Sequence, residues 1–198
     1  MPLLFEKQIS VAKKLAVWDI NEPLTFFLDK YPIQEFESKI EKRHLEQACA
    51  KFLVNEMLGF KLPVQLEKDE FGKPHIKDSS IAISFSHCKN LLACSIDLDG
   101  NSVGIDIEIQ RDNISVLSKK FLSERDNSPL EKDANDQLIW GAKEVLYKIY
   151  GRKSLDFKRD LEINFTDKLI GKIKKEDEIM VYNLDYTIID CHFLVWNS

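Results

Sequence analysis

The segment V-G-I-D-I-E-I, residues 103–109, carries two carboxylates at a spacing that suits a metal ion. Its alternating pattern predicts a β-strand, in which every second side chain lies on the same face. Gly104, Asp106 and Glu108 then share one face, and the valine and the isoleucines share the other. Two carboxylates so close repel each other, and a cation between them removes that repulsion. Because hard oxygen ligands favour Mg²⁺, the segment predicts a Mg²⁺ site; the simpler alternative is a solvent-facing strand with incidental acids.

A second group of chemical interest lies in W-G-A-K-E-V-L-Y-K, residues 140–148. The apolar spacing predicts a helix over residues 138–150, in which Glu144 and Lys148 are i,i+4 neighbours on one face. Taken alone, such a pair is most simply a surface ion pair on an amphipathic helix. Next to a metal site, the same pair can place an acid on the cation and an ammonium group on a phosphate.

Two shorter motifs, G-K-P at residues 72–74 and F-S-H-C at residues 85–88, are weak signals by themselves. The first is typical of a turn. In the second, Ser86 and His87 are neighbours in a predicted strand, so their side chains diverge and cannot form a nucleophile and its base. The sequence contains no G-x-x-x-x-G-K-[ST] phosphate loop, no G-x-G-x-x-G fingerprint and no cysteine and histidine set with zinc spacing.

Composition restricts the class of partner. A formal charge of −5 argues against nucleic-acid binding, which needs a basic surface, while 28 lysines and arginines still allow a local pocket for a phosphorylated ligand. The four cysteines form no C-x-x-C pair, which predicts free thiols in a reducing compartment. No signal peptide and no apolar run of membrane-spanning length is found. We therefore expect a cytoplasmic protein that binds neither nucleic acid nor membrane.

Two long helices must position these groups. Ser38, with Glu41 three residues later, predicts a capping box at the start of a helix that continues to Gly59. Three short apolar runs follow this helix, and the Asp-Gly pair at 99–100 between the last two predicts a hairpin. The helix at 137–150 likewise precedes a set of strand-like runs.

Strands and one long helix thus recur in each half of the chain. This order predicts an α+β fold of two similar halves, with the turn at Asp99–Gly100 as the boundary between residues 1–100 and residues 101–198.

Taken in order along the chain, four motifs resemble those of the Sfp-type 4'-phosphopantetheinyl transferase superfamily: G-K-P, S-H, G-I-D-I-E and W-x-x-K-E-x-x-x-K. The separation of Asp106 from Glu144 is also near that of the family. Weaker similarities are V-W-D-I near the start, F-L-S-E-R-D at 121–126 and G-R-K-S-L after the second helix. The resemblance covers about residues 15 to 157.

The resemblance implies a fold and a reaction. Members of the family are pseudo-dimers of two related α+β halves, with coenzyme A and Mg²⁺ in the cleft between them. They transfer the 4'-phosphopantetheine arm of coenzyme A to a serine of an apo carrier protein and release 3',5'-adenosine bisphosphate. The length of the chain favours this type over the shorter holo-(acyl-carrier-protein) synthases, which trimerise, so we expect a monomer.

Carried over by position, the resemblance implies roles for five residues around the pyrophosphate. Asp106, Glu108 and Glu144 would hold Mg²⁺. Lys148 would meet the phosphates as a catalytic group together with Glu144, and Lys143 would assist nearby. Phosphoryl transfer needs charge neutralisation and alignment more than covalent help, which agrees with this set.

The resemblance also implies a nucleotide-binding set. It comprises basic residues of the first long helix, a turn beside the adenine and a pair for the 3'-phosphate: Lys42, Arg43, Lys51, Gly72, Lys73, Pro74, Ser86 and His87. An arginine is common in the family where this chain has Lys51, so the bidentate phosphate contact of an arginine is not implied there.

The general base is where the sequence departs from the family, whose members commonly have a glutamate after the F-x-S segment. That position here is Asp126, while a glutamate stands two residues earlier at Glu124. We expect Asp126 to deprotonate the carrier serine, through a water because its side chain is shorter. Glu124 or a water on the metal is the alternative.

Two other functions use the same residues. A Mg²⁺-dependent phosphohydrolase would release free phosphopantetheine without a carrier, and a nucleotide-binding module that keeps the fold would release no product.

Overall fold

The computed structural model describes residues 2–33, 36, 39–59 and 63–198. Its strands are β1 (Leu3–Gln8), β2 (Lys13–Asp19), β3 (Leu66–Lys68), β4 (Pro74–Ile76), β5 (Ala82–Cys88), β6 (Leu91–Asp97), β7 (Ile105–Ile109), β8 (Leu161–Phe165), β9 (Leu169–Lys175), β10 (Glu178–Ile189) and β11 (His192–Asn197). Its helices are α1 (Leu24–Lys30), α2 (Glu41–Leu58), α3 (Ile114–Ser118) and α4 (Lys132–Tyr150). Antiparallel sheets combined with helices confirm the predicted α+β class.

The first half forms a four-stranded sheet in the order β1-β2-β6-β5, against which α2 packs. Phe52 of α2 is buried there among the side chains of α1 and the sheet. Ile40 is the N-cap of α2 and makes no side-chain cap bond, while the predicted cap, Ser38, lies outside the described residues. The helix ends at Gly59 as predicted, because its φ of 65° is a left-handed conformation that glycine adopts readily.

The second half forms a five-stranded antiparallel sheet in the order β7-β11-β10-β9-β8, covered by α4. Leu138 and Leu146 are among the apolar side chains of α4 that are fully buried against it. The helix begins at Lys132, earlier than predicted. Its first five residues, K-D-A-N-D, show no apolar periodicity, so the sequence pattern did not reveal this start. In the described part of the chain, no helix has the length and apolar character needed to cross a membrane.

The two sheets pack on each other through a third core, so that α2 and α4 lie on the outer faces. Successive residues of β2, β6 and β11 contribute alternately to this core and to the core beneath a helix. The buried members of the third core are Leu15, Val17, Leu91, Ala93, Ile105, Ile107, Leu194 and Trp196.

The chain passes from the first sheet to the second at the Asp99–Gly100 turn. The predicted hairpin is wrong here, since β6 pairs with β2 and β5, whereas β7 pairs with β11. Gly100 still needs to be glycine, because its φ is 79° and a Cβ atom would lie 2.7 Å from the carbonyl oxygen of Ser80. The division into residues 1–100 and 101–198, and a structural relationship between the halves, stay predictions.

Candidate active site

Two glycines let α4 lie directly against β7. A Cβ atom on Gly104 would lie 2.4 Å from the carbonyl oxygen of Val145, so a larger residue would push strand and helix apart. A Cβ atom on Gly141 would lie 3.0 Å from Val195 Cγ2 and 3.5 Å from Asp106 Oδ2. The helix therefore covers the face of β7 that carries Asp106.

Asp106 is buried, with 3% of its surface exposed, and its two carboxylate oxygens differ. Oδ1 accepts hydrogen bonds from Lys148 Nζ at 2.8 Å and from Ser86 Oγ at 2.9 Å. Oδ2 is also buried, but it has no hydrogen-bond partner among the described residues. Buried carboxylate oxygens are nearly always satisfied, so an open oxygen of this kind is suited to a further ligand such as a cation.

Glu144 faces the same place from α4. Its burial, together with the negative charges of Asp106 and Glu108, raises the pKa of Glu144 to about 7, and the opposing charge of Lys148 only reduces this shift. A carboxyl group with a pKa near neutrality can exchange a proton under physiological conditions, and a cation beside it favours its ionised form. Glu144 thus interacts electrostatically with both acids of β7, and the role of the three acids as Mg²⁺ ligands stays a prediction.

Glu108, the third predicted metal ligand, is engaged elsewhere. Its Oε2 accepts a hydrogen bond from Arg111 Nη2 at 3.0 Å. Within the described ranges, no group of three histidine, cysteine, aspartate or glutamate side chains converges closely enough to hold a metal ion. The oxygens that fit a cation are thus Asp106 Oδ2 and the Glu144 carboxylate, and Glu108 would have to leave Arg111 to join them.

A cleft of about 200 Å³ reaches Lys148, the partner of Asp106, and is lined by residues from both sides of the Asp99–Gly100 turn. The G-K-P turn forms one wall with Gly72, Lys73 and Pro74, and the end of α4 forms the other with Lys148. Lys73 Nζ donates to the carbonyl oxygen of Ile149 at 3.1 Å, and burial lowers the pKa of Lys73. The turn and the helix, far apart in sequence, are therefore in direct contact.

Four cations and three aromatic rings line the cleft: Lys73, Lys148, Arg152, Lys153, Phe71, Phe85 and Tyr147. The sequence predicted no role for Arg152 and Lys153, although both lie in the segment G-R-K-S-L, which is similar to the family's sequences. A signal for them exists in their position, since they directly follow Gly151, which ends the helix that carries Lys148. The lining combines positive charge with flat apolar surface, which suits a phosphorylated nucleotide.

Ser86 and His87 point in opposite directions from β5. Ser86 is buried and donates to Asp106, whereas the His87 side chain is 59% exposed and its Nε2 lies 3.5 Å from Glu46 Oε2. Neither lines the cleft described above. The expectation that both receive one 3'-phosphate is corrected for Ser86, because strand alternation separates the two side chains.

The basic residues of α2 lie away from the cleft lining. Lys42 and Arg43 are exposed in the first turn of the helix. Lys51 Nζ donates to the carbonyl oxygen of Pro32 at 2.7 Å, and burial lowers the pKa of Lys51. Their role in nucleotide binding stays a prediction.

Lys143 occupies a different environment from the one expected, since its side chain is 0% exposed. Its Nζ donates to the carbonyl oxygens of Phe121 at 2.7 Å and Phe157 at 2.8 Å, and to Asp126 Oδ2 at 2.7 Å. All three hydrogens of the ammonium group are therefore used inside the protein. This corrects the expectation that Lys143 contacts coenzyme A.

Asp126, the expected base, is the buried partner of Lys143. Besides that ion pair, Oδ2 accepts from Ser123 N at 2.7 Å and Ser123 Oγ at 3.0 Å, and Oδ1 accepts from Ile163 N at 2.9 Å. A carboxylate that is 0% exposed and hydrogen-bonded on both oxygens cannot meet the serine of a second protein. The assignment of Asp126 as base is corrected, while Glu124 is exposed in the same segment.

The model of the family described as the 4'-phosphopantetheinyl transferase superfamily matches residues 102–190. The matched segment includes Asp106, Glu108, Glu144 and Lys148. No curated protein matches the chain. The match confirms the resemblance at the level of the superfamily; the Sfp type, which also depends on motifs before residue 102, stays a proposal.

Proposed function

We propose that the protein, whose residues 102–190 match the model of the 4'-phosphopantetheinyl transferase superfamily, modifies an apo carrier protein. It transfers the 4'-phosphopantetheine arm of coenzyme A to a serine of an acyl or peptidyl carrier and releases 3',5'-adenosine bisphosphate. We assign it to the Sfp type, acting as a cytoplasmic monomer. The observation that carries this proposal is the buried Oδ2 of Asp106, which has no hydrogen-bond partner among the described residues, while Oδ1 binds Lys148 in the wall of a basic cleft.

The donor atoms at this point suit Mg²⁺. Asp106 Oδ2 and the Glu144 carboxylate would hold the ion, and Glu108 would join them on release from Arg111. Bound there, Mg²⁺ supplies charge neutralisation for the pyrophosphate of coenzyme A. After burial, the negative charges of Asp106 and Glu108 also raise the pKa of Glu144, and this crowding of negative charge favours a cation.

The cleft lining supports coenzyme A as the co-substrate. Lys148 and Lys73 supply positive charge on opposite walls, and Arg152 and Lys153 extend it past the end of α4. The aromatic rings provide a surface on which an adenine can stack. We retain His87 as the contact of the 3'-phosphate, because its imidazole is exposed, with Glu46 Oε2 3.5 Å from Nε2.

In the transfer step, the carrier serine oxygen forms a bond to the β-phosphorus of coenzyme A. The bond from that phosphorus to the bridging oxygen breaks, and 3',5'-adenosine bisphosphate leaves with the electron pair. We assign the proton of the serine to Glu124, the exposed alternative to Asp126, because Glu144 would be engaged by the cation. Lys148 stabilises the charge that develops on the phosphate oxygens.

The proposal is tested by incubating the purified protein with coenzyme A, Mg²⁺ and a panel of apo acyl and peptidyl carriers. Mass spectrometry of the carriers is the readout, and a carrier whose acceptor serine is changed to alanine is the control. We expect the mass of one phosphopantetheine arm to be gained by at least one carrier and not by its alanine variant. Release of free phosphopantetheine from coenzyme A without any carrier gain would identify a hydrolase instead.

A further inference from the structure

Strands β5 and β7 meet at the seam between the two halves. Each belongs to a different sheet, since β5 pairs with β6 and β7 pairs with β11. Between β5 and β7, hydrogen bonds to side chains on one face of β5 take the place of backbone pairing. Ser84 Oγ accepts a hydrogen bond from Ile105 N at 3.3 Å, and Cys88 Sγ accepts one from Ile109 N at 3.3 Å.

Ser86 lies between these two residues and makes a different contact, because it bonds to a side chain. Its Oγ donates to Asp106 Oδ1 at 2.9 Å, and Ser86 and Asp106 have 9% and 3% of their surface exposed. Lys148 Nζ donates to the same oxygen at 2.8 Å from helix α4. Two donors from different elements thus bind Oδ1, and Oδ2 is left buried with no hydrogen-bond partner among the described residues.

We propose that Ser86 is a positioning residue that orients Asp106 for the metal ion. The inference rests on the proposed function, since it presupposes that Asp106 is a metal ligand. A hydrogen bond to the oxygen that does not bind the metal fixes the orientation of a ligating carboxylate and raises its affinity for the metal.

The chemistry of a hydroxyl argues against the alternative, a contact with the 3'-phosphate. A serine hydroxyl has one proton to donate, and a phosphate oxygen is an acceptor. While Ser86 donates to Asp106, it has no proton for a phosphate. The same reasoning separates Ser86 from Lys148, whose ammonium group has three protons and can contact both Asp106 and a phosphate. When Lys148 engages the phosphates, Ser86 still holds the carboxylate in place.

The experiment measures Mn²⁺ binding to the purified protein by electron paramagnetic resonance, without coenzyme A. We expect Ser86→Ala to bind Mn²⁺ about tenfold more weakly or worse, the usual loss when an outer partner of a metal ligand is removed. Cys88→Ala is the matched control, because it removes a neighbouring hydrogen bond between β5 and β7 in which no carboxylate takes part. The Mn²⁺ affinity of Cys88→Ala should equal that of the wild type. Ser86→Cys, which nearly preserves the shape but donates weakly, should behave like Ser86→Ala if the latter folds poorly.

A second readout compares the affinities for coenzyme A and dephospho-coenzyme A. Their ratio should be unchanged in Ser86→Ala. Unchanged Mn²⁺ affinity in Ser86→Ala, or a selective loss of coenzyme A binding, would overturn the inference and leave the proposed function standing. A wild-type protein that binds no Mn²⁺ would contradict the proposed metal site and this inference together.

Discussion

Lys143 Nζ and Asp126 Oδ2 lie 2.7 Å apart in an ion pair whose two side chains are 0% exposed. The pair joins α4, one residue before Glu144, to the segment that follows Phe121. Burial lowers the pKa of Lys143, and the charge of Asp126 opposes that shift. The two residues are therefore partners within the fold beneath the site.

We predict that Asp126→Asn lowers stability. Removing one charge of a buried pair leaves the other without a counter-charge, which costs roughly 3–5 kcal/mol of the free energy of unfolding. Denaturant titration followed by circular dichroism measures this loss. Glu124→Gln is the control, since Glu124 is exposed, and it should match the wild type. An Asp126→Asn protein of normal stability with turnover about 100-fold lower would restore the assignment of Asp126 as base.

Glu144 predicts a pH dependence of stability in the metal-free protein. Its pKa is about 7 in the folded state against an ordinary value of 4.5, so the folded state holds the proton more tightly. This contribution to stability is fully present below about pH 4.5 and is lost as the pH rises through about 7. Glu144→Gln should therefore unfold at a higher temperature than the wild type at pH 8, with a smaller difference at pH 5, and should not transfer the arm.

Thermal unfolding in the presence of chelator, at both pH values, checks this expectation. Glu124→Gln should keep the wild-type dependence. If Glu144→Gln gives no stabilisation at pH 8, burial and the neighbouring acids do not raise the pKa of Glu144 as described.

Asp106→Asn should abolish the response to Mg²⁺ while the protein stays folded, because the amide keeps the shape of the side chain but not its charge. Mg²⁺ that binds the native state raises the unfolding temperature of the wild type by mass action. We expect no such increase in Asp106→Asn. In Glu108→Gln the increase should be partly retained, since Arg111 engages Glu108. An Asp106→Asn protein with the full Mg²⁺ response would remove Asp106 from the metal site.

His87→Ala should weaken the binding of coenzyme A much more than that of dephospho-coenzyme A, because its proposed partner is the 3'-phosphate. Calorimetric titration of both ligands measures the difference. Glu46→Gln is a useful comparison, since it removes the carboxylate 3.5 Å from the imidazole and leaves the imidazole itself. Equal losses for the two ligands in His87→Ala would remove this assignment.

The strand that carries Asp106 was predictable because apolar and polar residues alternate along it, which determines which side chains lie on each face. Ile105 and Ile107 are buried between the sheets, and Asp106 faces α4. The end of each long helix was predictable for a local reason, the left-handed glycine at Gly59 and Gly151. Both signals depend only on residues close together in the chain, and the structures that they predict are therefore found in the fold.

Long-range packing determined what the sequence could not reveal. The Asp99–Gly100 turn was recognisable, but a turn does not state which sheet the next strand joins. Asp126 had a suitable position along the chain, yet its burial depends on Lys143 in a helix that is distant in sequence. The bond from Ser86 to Asp106 likewise crosses the seam between two sheets.

In the proposed reaction, the site couples the cleavage of coenzyme A to the modification of a carrier serine. This coupling is tested most directly by measuring 3',5'-adenosine bisphosphate and modified carrier in the same reaction, with Mg²⁺ and with excess chelator. We expect equal amounts of the two products with Mg²⁺, and neither product with chelator. Adenosine bisphosphate released without modified carrier, or full transfer in chelator, would contradict it.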